Sequence, residues 1–317
     1  MITELRYPGK MYSHNKKIII VGGTGFLGYH LCKKFMQKNW TVISLSRKKP
    51  TKLRKIKKVT YKLIDIGKKN LLIKLLKKIH NGDYIINLGG EVEHTKKKKT
   101  FLSHYNGTLN LSNFYSKKKI KKFIQVGSSM EYGKLKSPQN EKSVSKPVSN
   151  YGKAKALATN KLLDLNKKFF FPVTILRLYQ VYGTHQDTNR LIPAVIKNCI
   201  KSRDFPCSSG TQYRDFLHVN DFVNAVIKCL NNKNTNGQIL NIGCGKPKQI
   251  KEIINYIKKK CKSGNPIFGK IKLRSEENLV TFPNIKKAFN FLNWKPKIDL
   301  DTGLEKVIDH YRGYKNI

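Results

Sequence analysis

Residues 18–28 read Ile-Ile-Ile-Val-Gly-Gly-Thr-Gly-Phe-Leu-Gly, and this stretch restricts the fold more than any other. Ile18 to Val21 are β-branched at every position, as suits a buried parallel strand. Gly22, Gly25 and Gly28 follow at a spacing of three. From Phe26 the period changes, and Leu27, Leu31 and Phe35 recur every four residues along one helix face. Strand, glycine turn and helix together form the setting of a dinucleotide-phosphate site. Gly22 permits a tight turn, Gly25 lets backbone approach a pyrophosphate, and Gly28 lets the helix lie against the strand. The free N–H groups at the helix start then face the anion. Thr24, Phe26 and Leu27 belong to the same turn and are expected to touch the cofactor. A glycine triplet alone also fits an ordinary strand-to-helix turn.

The chain continues as strand, helix, strand. The patterns predict further strands at Thr41–Leu45, Val59–Ile64, Tyr84–Leu88, Lys122–Val126, Val173–Leu178 and Gln238–Ile242. Helices are expected over about 71–79, 101–116 and 151–166. This alternation predicts a parallel sheet with helices on both faces. Residues 185–215 and 248–317 hold helical stretches with little strand signal, and read as a smaller second unit over the sheet's carboxyl edge.

With 317 residues of which 39% are hydrophobic, the chain has enough material for a large core. The formal net charge of +45 invites a nucleic-acid reading. Arginine, the preferred reader of phosphates and bases, nevertheless supplies only 9 of 64 basic residues, and the lysines are scattered. A solvated surface and no specific nucleic-acid partner are therefore expected. Six cysteines lie far apart without Cys-x-x-Cys, so neither zinc nor a disulfide framework is expected. The histidines His80, His104, His185 and His218 show no metal spacing. Residues 1–15 hold no apolar signal core and no run approaches a membrane span, so the expectation is a cytoplasmic protein without a membrane partner.

Two further stretches carry chemistry. In Tyr151-Gly-Lys-Ala-Lys155 the phenol and the second ammonium are four apart and share a helix face. A phenol with a pKa near ~10 needs a neighbouring cation before it can shuttle protons at neutral pH. Alone, the pair also fits an exposed helix face. Ser128 and Ser129, in Val126-Gly-Ser-Ser-Met-Glu-Tyr-Gly133, follow the fifth strand, where a hydroxyl can donate to a substrate carbonyl. His94 and Glu91 follow the fourth strand and read as loop residues, and Trp294 as a packing anchor.

Taken in order, these features resemble the extended short-chain dehydrogenase/reductase family, the epimerase/dehydratase branch that acts on nucleotide-linked sugars. The matching residues are Gly22, Gly25 and Gly28; Ser128 four before Tyr132-Gly133; and Tyr151 with Lys155. The resemblance extends through Asn106 to Leu111, Arg177 to Gly183, Arg214-Asp215-Phe216 with Val219 and Asp221, and Leu292 to Pro296. It implies an α/β fold: a doubly wound parallel Rossmann sheet over 15–184 plus 216–247. A smaller, mainly helical substrate-binding domain would cover 185–215 plus 248–317, after an N-terminal extension at 1–14. It also implies roles. Tyr151 would be the acid/base, Lys155 would hold the nicotinamide ribose and depress the Tyr151 pKa, and Ser128 would orient the carbonyl. Asp65 and Ile66 would approach the adenine, Leu88, Gly89 and Gly90 the cofactor's middle with Asn106 close by, and Tyr179 the nicotinamide side. Ser129, Gln180 and Arg214 would contact substrate, Arg214 at its diphosphate. A homodimer is implied as well.

Departures from the family pattern refine the expectation. An acid usually ends the second strand, where it holds the adenine ribose hydroxyls; here Ser46 and Arg47 stand there. They favour NADP(H), with NAD(H) as the other possibility. Met130 replaces the glutamate that dehydratases use as a base, which argues against dehydration. The expectation is thus an NAD(P)-dependent oxidoreductase on a nucleotide-activated sugar, favoured as a 4-keto-sugar reductase. The alternative is an epimerase using transient oxidation. More remote is a non-catalytic protein binding RNA or a dinucleotide.

Overall fold

The structure is a computed structural model that describes residues 16–79, 82–91, 97–273 and 277–313. His80, His94 and the 1–14 extension lie outside the described residues. The first half of the chain runs β1 (Lys17–Val21), α1 (Phe26–Gln37), β2 (Thr41–Ser46), β3 (Thr60–Leu63), α2 (Lys69–Ile79) and β4 (Tyr84–Asn87). Then come α3 (Lys97–Phe101), a π-turn at Leu102–Asn106, α4 (Gly107–Tyr115), β5 (Lys122–Ser128), a 3-10 turn at Ser129–Tyr132 and α5 (Asn150–Phe169). The second half runs β6 (Val173–Leu178), β7 (Gln180–Tyr182), α6 (Leu191–Ile200), β8 (Asp204–Pro206), β9 (Tyr213–His218), α7 (Val219–Leu230) and β10 (Gln238–Ile242). It closes with β11 (Pro247–Gln249), α8 (Ile250–Cys261), β12 (Asn265–Ile267), β13 (Val280–Thr281), α9 (Lys286–Leu292) and α10 (Leu300–Arg312).

The main sheet has seven strands in the order β10-β6-β5-β4-β1-β2-β3, every pair parallel. Strand order reverses between β1 and β4, the switch point at which such sheets bind ligands. Alternation along β1 shows how the two faces are filled. Ile18 and Ile20 join a core with Leu31 and Phe35 of α1, Phe222 and Val226 of α7, and Trp294. Ile19 and Val21 point to the other face, packed with Leu72 and Leu76 of α2, Leu111 and Tyr115 of α4, and Leu162 of α5. Trp294 is 2% exposed, and its indole N–H donates to the Asp221 carbonyl at 3.2 Å, as expected of a packing anchor.

A third core gathers α6, α8 and α10 around Tyr182, Phe205 and Phe216. It includes strands as well as helices: β9 pairs with β7, β11 and β13, and β8 with β12. The boundary drawn at 215/216 from the sequence falls inside β9, which runs from one core toward the other. The expected helix over 101–116 is broken by the π-turn at Leu102–Asn106, and β5 runs on to include Ser128.

Candidate active site

Because the strands are parallel, the ends of β1, β2, β4 and β5 deliver Gly22, Ser46, Leu88 and Ser128 to one edge of the sheet. Gly22 adopts φ +82°, and its backbone lies beside Leu88 across the switch point. A side chain at Gly28 would collide with the Gly22 carbonyl, so α1 can lie this close only on glycine. Helix α1 has Gly25 at its N-cap, no side-chain capping bond and no acid in its first turn. Its leading amides are therefore left for an anion, and this fits the pyrophosphate of a dinucleotide. Thr24 N–H donates to Ser46 Oγ at 3.3 Å, tying this turn to the end of β2.

The rest of the expected cofactor rim is held by side chains the sequence did not single out. Asn87 is fully buried and accepts from Gly89 N–H at 3.0 Å, while its amide donates to Gln125 Oε1 at 2.8 Å and Thr108 Oγ1 at 3.1 Å. These bonds fix the Leu88–Gly90 turn. Asp65 Oδ1 accepts Gly67 N–H at 2.9 Å, and Ile66 is buried against Gly107, one residue past exposed Asn106. Arg47 does not stand alone: it forms an ion pair with Glu91 at 2.9 Å, and that carboxylate raises its pKa. Glu91 therefore does more than fill a loop.

Three side chains meet at the end of β5. Ser128 ends the strand and caps the 3-10 turn, its Oγ accepting Met130 N–H at 3.2 Å. Helix α5 is N-capped by Ser149, whose Oγ accepts Gly152 N–H at 3.1 Å, and this start aims Tyr151 and Lys155 at the strand end. Burial pushes the Tyr151 phenol up to about 12, opposed by the nearby Ser128 side chain, which lowers it. Lys155 is 4% exposed and donates to the Val126 carbonyl at 2.7 Å. Its Nζ lies 5.8 Å from the Tyr151 ring centroid. Burial brings the Lys155 pKa down to about 8, opposed by Glu131. The His104 ring stands edge-on to Tyr151 at 4.9 Å and its Nε2 meets the Glu91 carbonyl at 3.0 Å, a contact that no spacing in the sequence signalled.

The remaining expected residues are more dispersed. Ser129 is half-buried and opens the 3-10 turn, with Met130 47% exposed beside it. Tyr179 is buried, its hydroxyl donating to Gln139 Oε1 at 2.9 Å, and burial raises its pKa. Gln180 is exposed on β7. Arg214, on β9, forms an ion pair with Glu277 at 2.6 Å and donates to the Tyr213 and Leu279 carbonyls.

The family model for the NAD dependent epimerase/dehydratase family matches residues 18–243, which spans the glycine turn, the Ser128 turn and the Tyr151 helix. The chain belongs to this family. A putative UDP-glucose 4-epimerase of Methanocaldococcus jannaschii is 30% identical over 304 residues, covering 92% of this chain and 97% of that protein. The mouse dTDP-D-glucose 4,6-dehydratase is 27% identical, covering 95% and 90%. Among solved structures, the UDP-glucuronic acid 4-epimerase of Bacillus cereus, in complex with UDP-glucuronic acid and NAD, superposes with a TM-score of 0.84. It is 26% identical, covering 93% of this chain and 99% of that one. The UDP-glucose 4-epimerase of Thermotoga maritima has the same fold, with a TM-score of 0.88 at 21% identity over 93% and 98% of the two chains.

Proposed function

We propose that the protein is an NAD(P)-dependent oxidoreductase acting on a hydroxyl-bearing or keto carbon of a nucleotide-activated sugar, most directly as a 4-epimerase. The observation that carries this reading is the convergence of Ser128 at the end of β5 with Tyr151 and Lys155 of α5, the Lys155 Nζ standing 5.8 Å from the Tyr151 ring centroid. A nicotinamide dinucleotide supplies the hydride acceptor and donor when bound. Tyr151 takes the hydroxyl proton as the carbon is oxidised and returns it on reduction. Ser128 holds the oxygen, and Lys155 stabilises negative charge on the phenol. Gly22, Thr24, Gly25 and the α1 amides would hold the pyrophosphate, Ser46 and Arg47 the adenosine ribose, and Leu88 to Gly90 the middle of the cofactor. Residues 185–215, 248–273 and 277–313 would close over the sugar nucleotide, with Arg214 exchanging Glu277 for its diphosphate.

Epimerase and reductase use the same three groups. The Glu91–Arg47 pair supports the epimerase, because it places a carboxylate beside the ribose position and engages the guanidinium otherwise available to a 2′-phosphate. The named 4-epimerases among the relatives support it too. Arg47, still 42% exposed at its side chain, keeps the 4-keto reductase with NADPH as the second reading. Dehydration lacks support, since Met130 carries no titratable group. Product analysis separates the readings. Incubation with UDP- and dTDP-hexoses should interconvert two sugar isomers with no net change in absorbance at 340 nm. Stoichiometric NADPH consumption with a keto sugar would establish the reductase instead.

A further inference from the structure

A carboxylate that the proposed chemistry does not use lies directly behind the three catalytic groups. Glu131 is fully buried, a costly place for a charge unless every lone pair is engaged. Its Oε1 accepts Ser128 N–H at 2.9 Å. Its Oε2 accepts the Thr159 hydroxyl at 2.9 Å and Arg177 Nε–H at 3.0 Å, and Arg177 Nη2 completes the ion pair at 3.0 Å. The donors come from β5, α5 and β6. Two of those elements carry the catalytic groups, and Thr159 lies one helical turn past Lys155 on the face that also presents Tyr151. The backbone is shaped around this carboxylate: a Cβ at Gly127 would stand 2.6 Å from Glu131 Oε1.

We propose that Glu131 is a positioning residue. Its carboxylate locks the end of β5 to α5, so that Ser128, Tyr151 and Lys155 stay in register, while Arg177 balances its charge. This rests on the oxidoreductase reading above. The charged and titratable groups around it are Lys155 and Tyr151 from α5, Arg177 from β6 and Tyr132 from its own turn. Arg177 sits 4.4 Å over the Tyr132 ring and donates to Ser145 at 2.9 Å, and Arg190 acts on Tyr151 from the start of α6. Glu131 raises the pKa of Lys155, which favours its ammonium, and that of Tyr151, which works against the phenolate.

Glu131→Gln keeps an acceptor for Ser128 N–H, removes the charge and sets an amide N–H₂ against Thr159 or Arg177. The expected result is a kcat lowered by about 10- to 100-fold, with the sugar KM changed by less than about threefold. The basic limb of kcat/KM should also move to lower pH, because Lys155 loses its supporting charge. Since Arg177 left unpaired can destabilise the fold, the double variant Glu131→Gln/Arg177→Met removes both charges. If it regains the wild-type Tm while kcat stays low and the limb stays displaced, the positioning role stands. If kcat and the limb recover with Tm, or if Glu131→Gln turns over like wild type, the role is purely structural and the proposal is overturned. A readout without substrate separates this from the oxidoreductase reading. The Lys155 Cε resonance in ¹³C-lysine-labelled protein, assigned by its loss in Lys155→Met, should titrate at lower pH in Glu131→Gln. An unchanged midpoint overturns the proposal whatever the wild type does with sugars.

Discussion

A phenol pushed up to about 12 by burial is a poor base at neutral pH, so Tyr151 needs its neighbours. Tyr151→Phe removes only the hydroxyl and should fold normally while losing about 10²- to 10⁴-fold in kcat. Lys155 is proposed to set the pH range. Its ammonium, brought down to about 8, is present below that value and lost above it. The free-enzyme profile of kcat/KM should therefore fall as pH rises through about 8, and Lys155→Met should abolish that limb along with most activity. At the other end of the cofactor rim, Glu91 competes for Arg47. Glu91→Gln frees the guanidinium, and the ratio of NADPH to NADH affinity, measured by fluorescence titration, should rise by about tenfold or less. An unchanged ratio in both Glu91→Gln and Arg47→Ala would show that Arg47 takes no part in cofactor choice.

Elements long enough to show a period were legible in the sequence, and short ones were not. The Ile18–Val21 run, the glycine turn, α1 and Val173–Leu178 all stand where the pattern placed them. Strands of two or three residues such as β7, β8, β11 and β13 hold no alternation to read. The π-turn at Leu102–Asn106 is a single turn within a helical stretch, too short to show a period of its own, so it was invisible as well. The site divides in the same way. Ser128, Tyr151 and Lys155 of the proposed site were legible through their spacing and their resemblance to a family. Glu131, Asn87 and His104 act through contacts between distant elements, which one sequence does not reveal. At this scale Gly28→Ala is the informative variant. It must push α1 off β1, at a cost of roughly 1–3 kcal/mol, and should weaken dinucleotide binding and lower Tm together.

Across the whole molecule, histidines join the sheet domain to the C-terminal helix. The His185 ring, in the loop after β7, meets those of Tyr29 and His30 on α1 at 4.5 and 6.1 Å and that of His310 on α10 at 4.6 Å. Arg54 reaches into the same junction, donating to the His185 carbonyl at 2.9 Å and pairing with Asp187 at 2.7 Å. Burial brings His30, His185 and His218 down to about 4, so the unfolded chain binds more protons than the folded one between about 4 and 6.5. Stability should be intact above pH 6.5 and fall toward pH 4. Two carboxyls raised by burial oppose this, Asp215, pushed up to about 6, and Asp221: the Asp215 contribution is present below about 4 and lost as pH rises to 6. The urea midpoint should therefore be lower at pH 5 than at pH 7, and His30→Gln/His185→Gln should narrow the gap. The +45 charge adds a separate expectation: binding to RNA, if measured at low salt, should vanish at moderate salt.

The chemistry assigned to the end of β5 is tested most directly by turnover of nucleoside-diphosphate hexoses, followed by NMR of the sugar and absorbance at 340 nm, for wild type and Tyr151→Phe side by side. Wild type should convert at least one such sugar, and the variant, folded and still binding dinucleotide, should convert it about 10²- to 10⁴-fold more slowly. Equal turnover by the two proteins, or no conversion by wild type with either NAD or NADP, would contradict the role given to Tyr151.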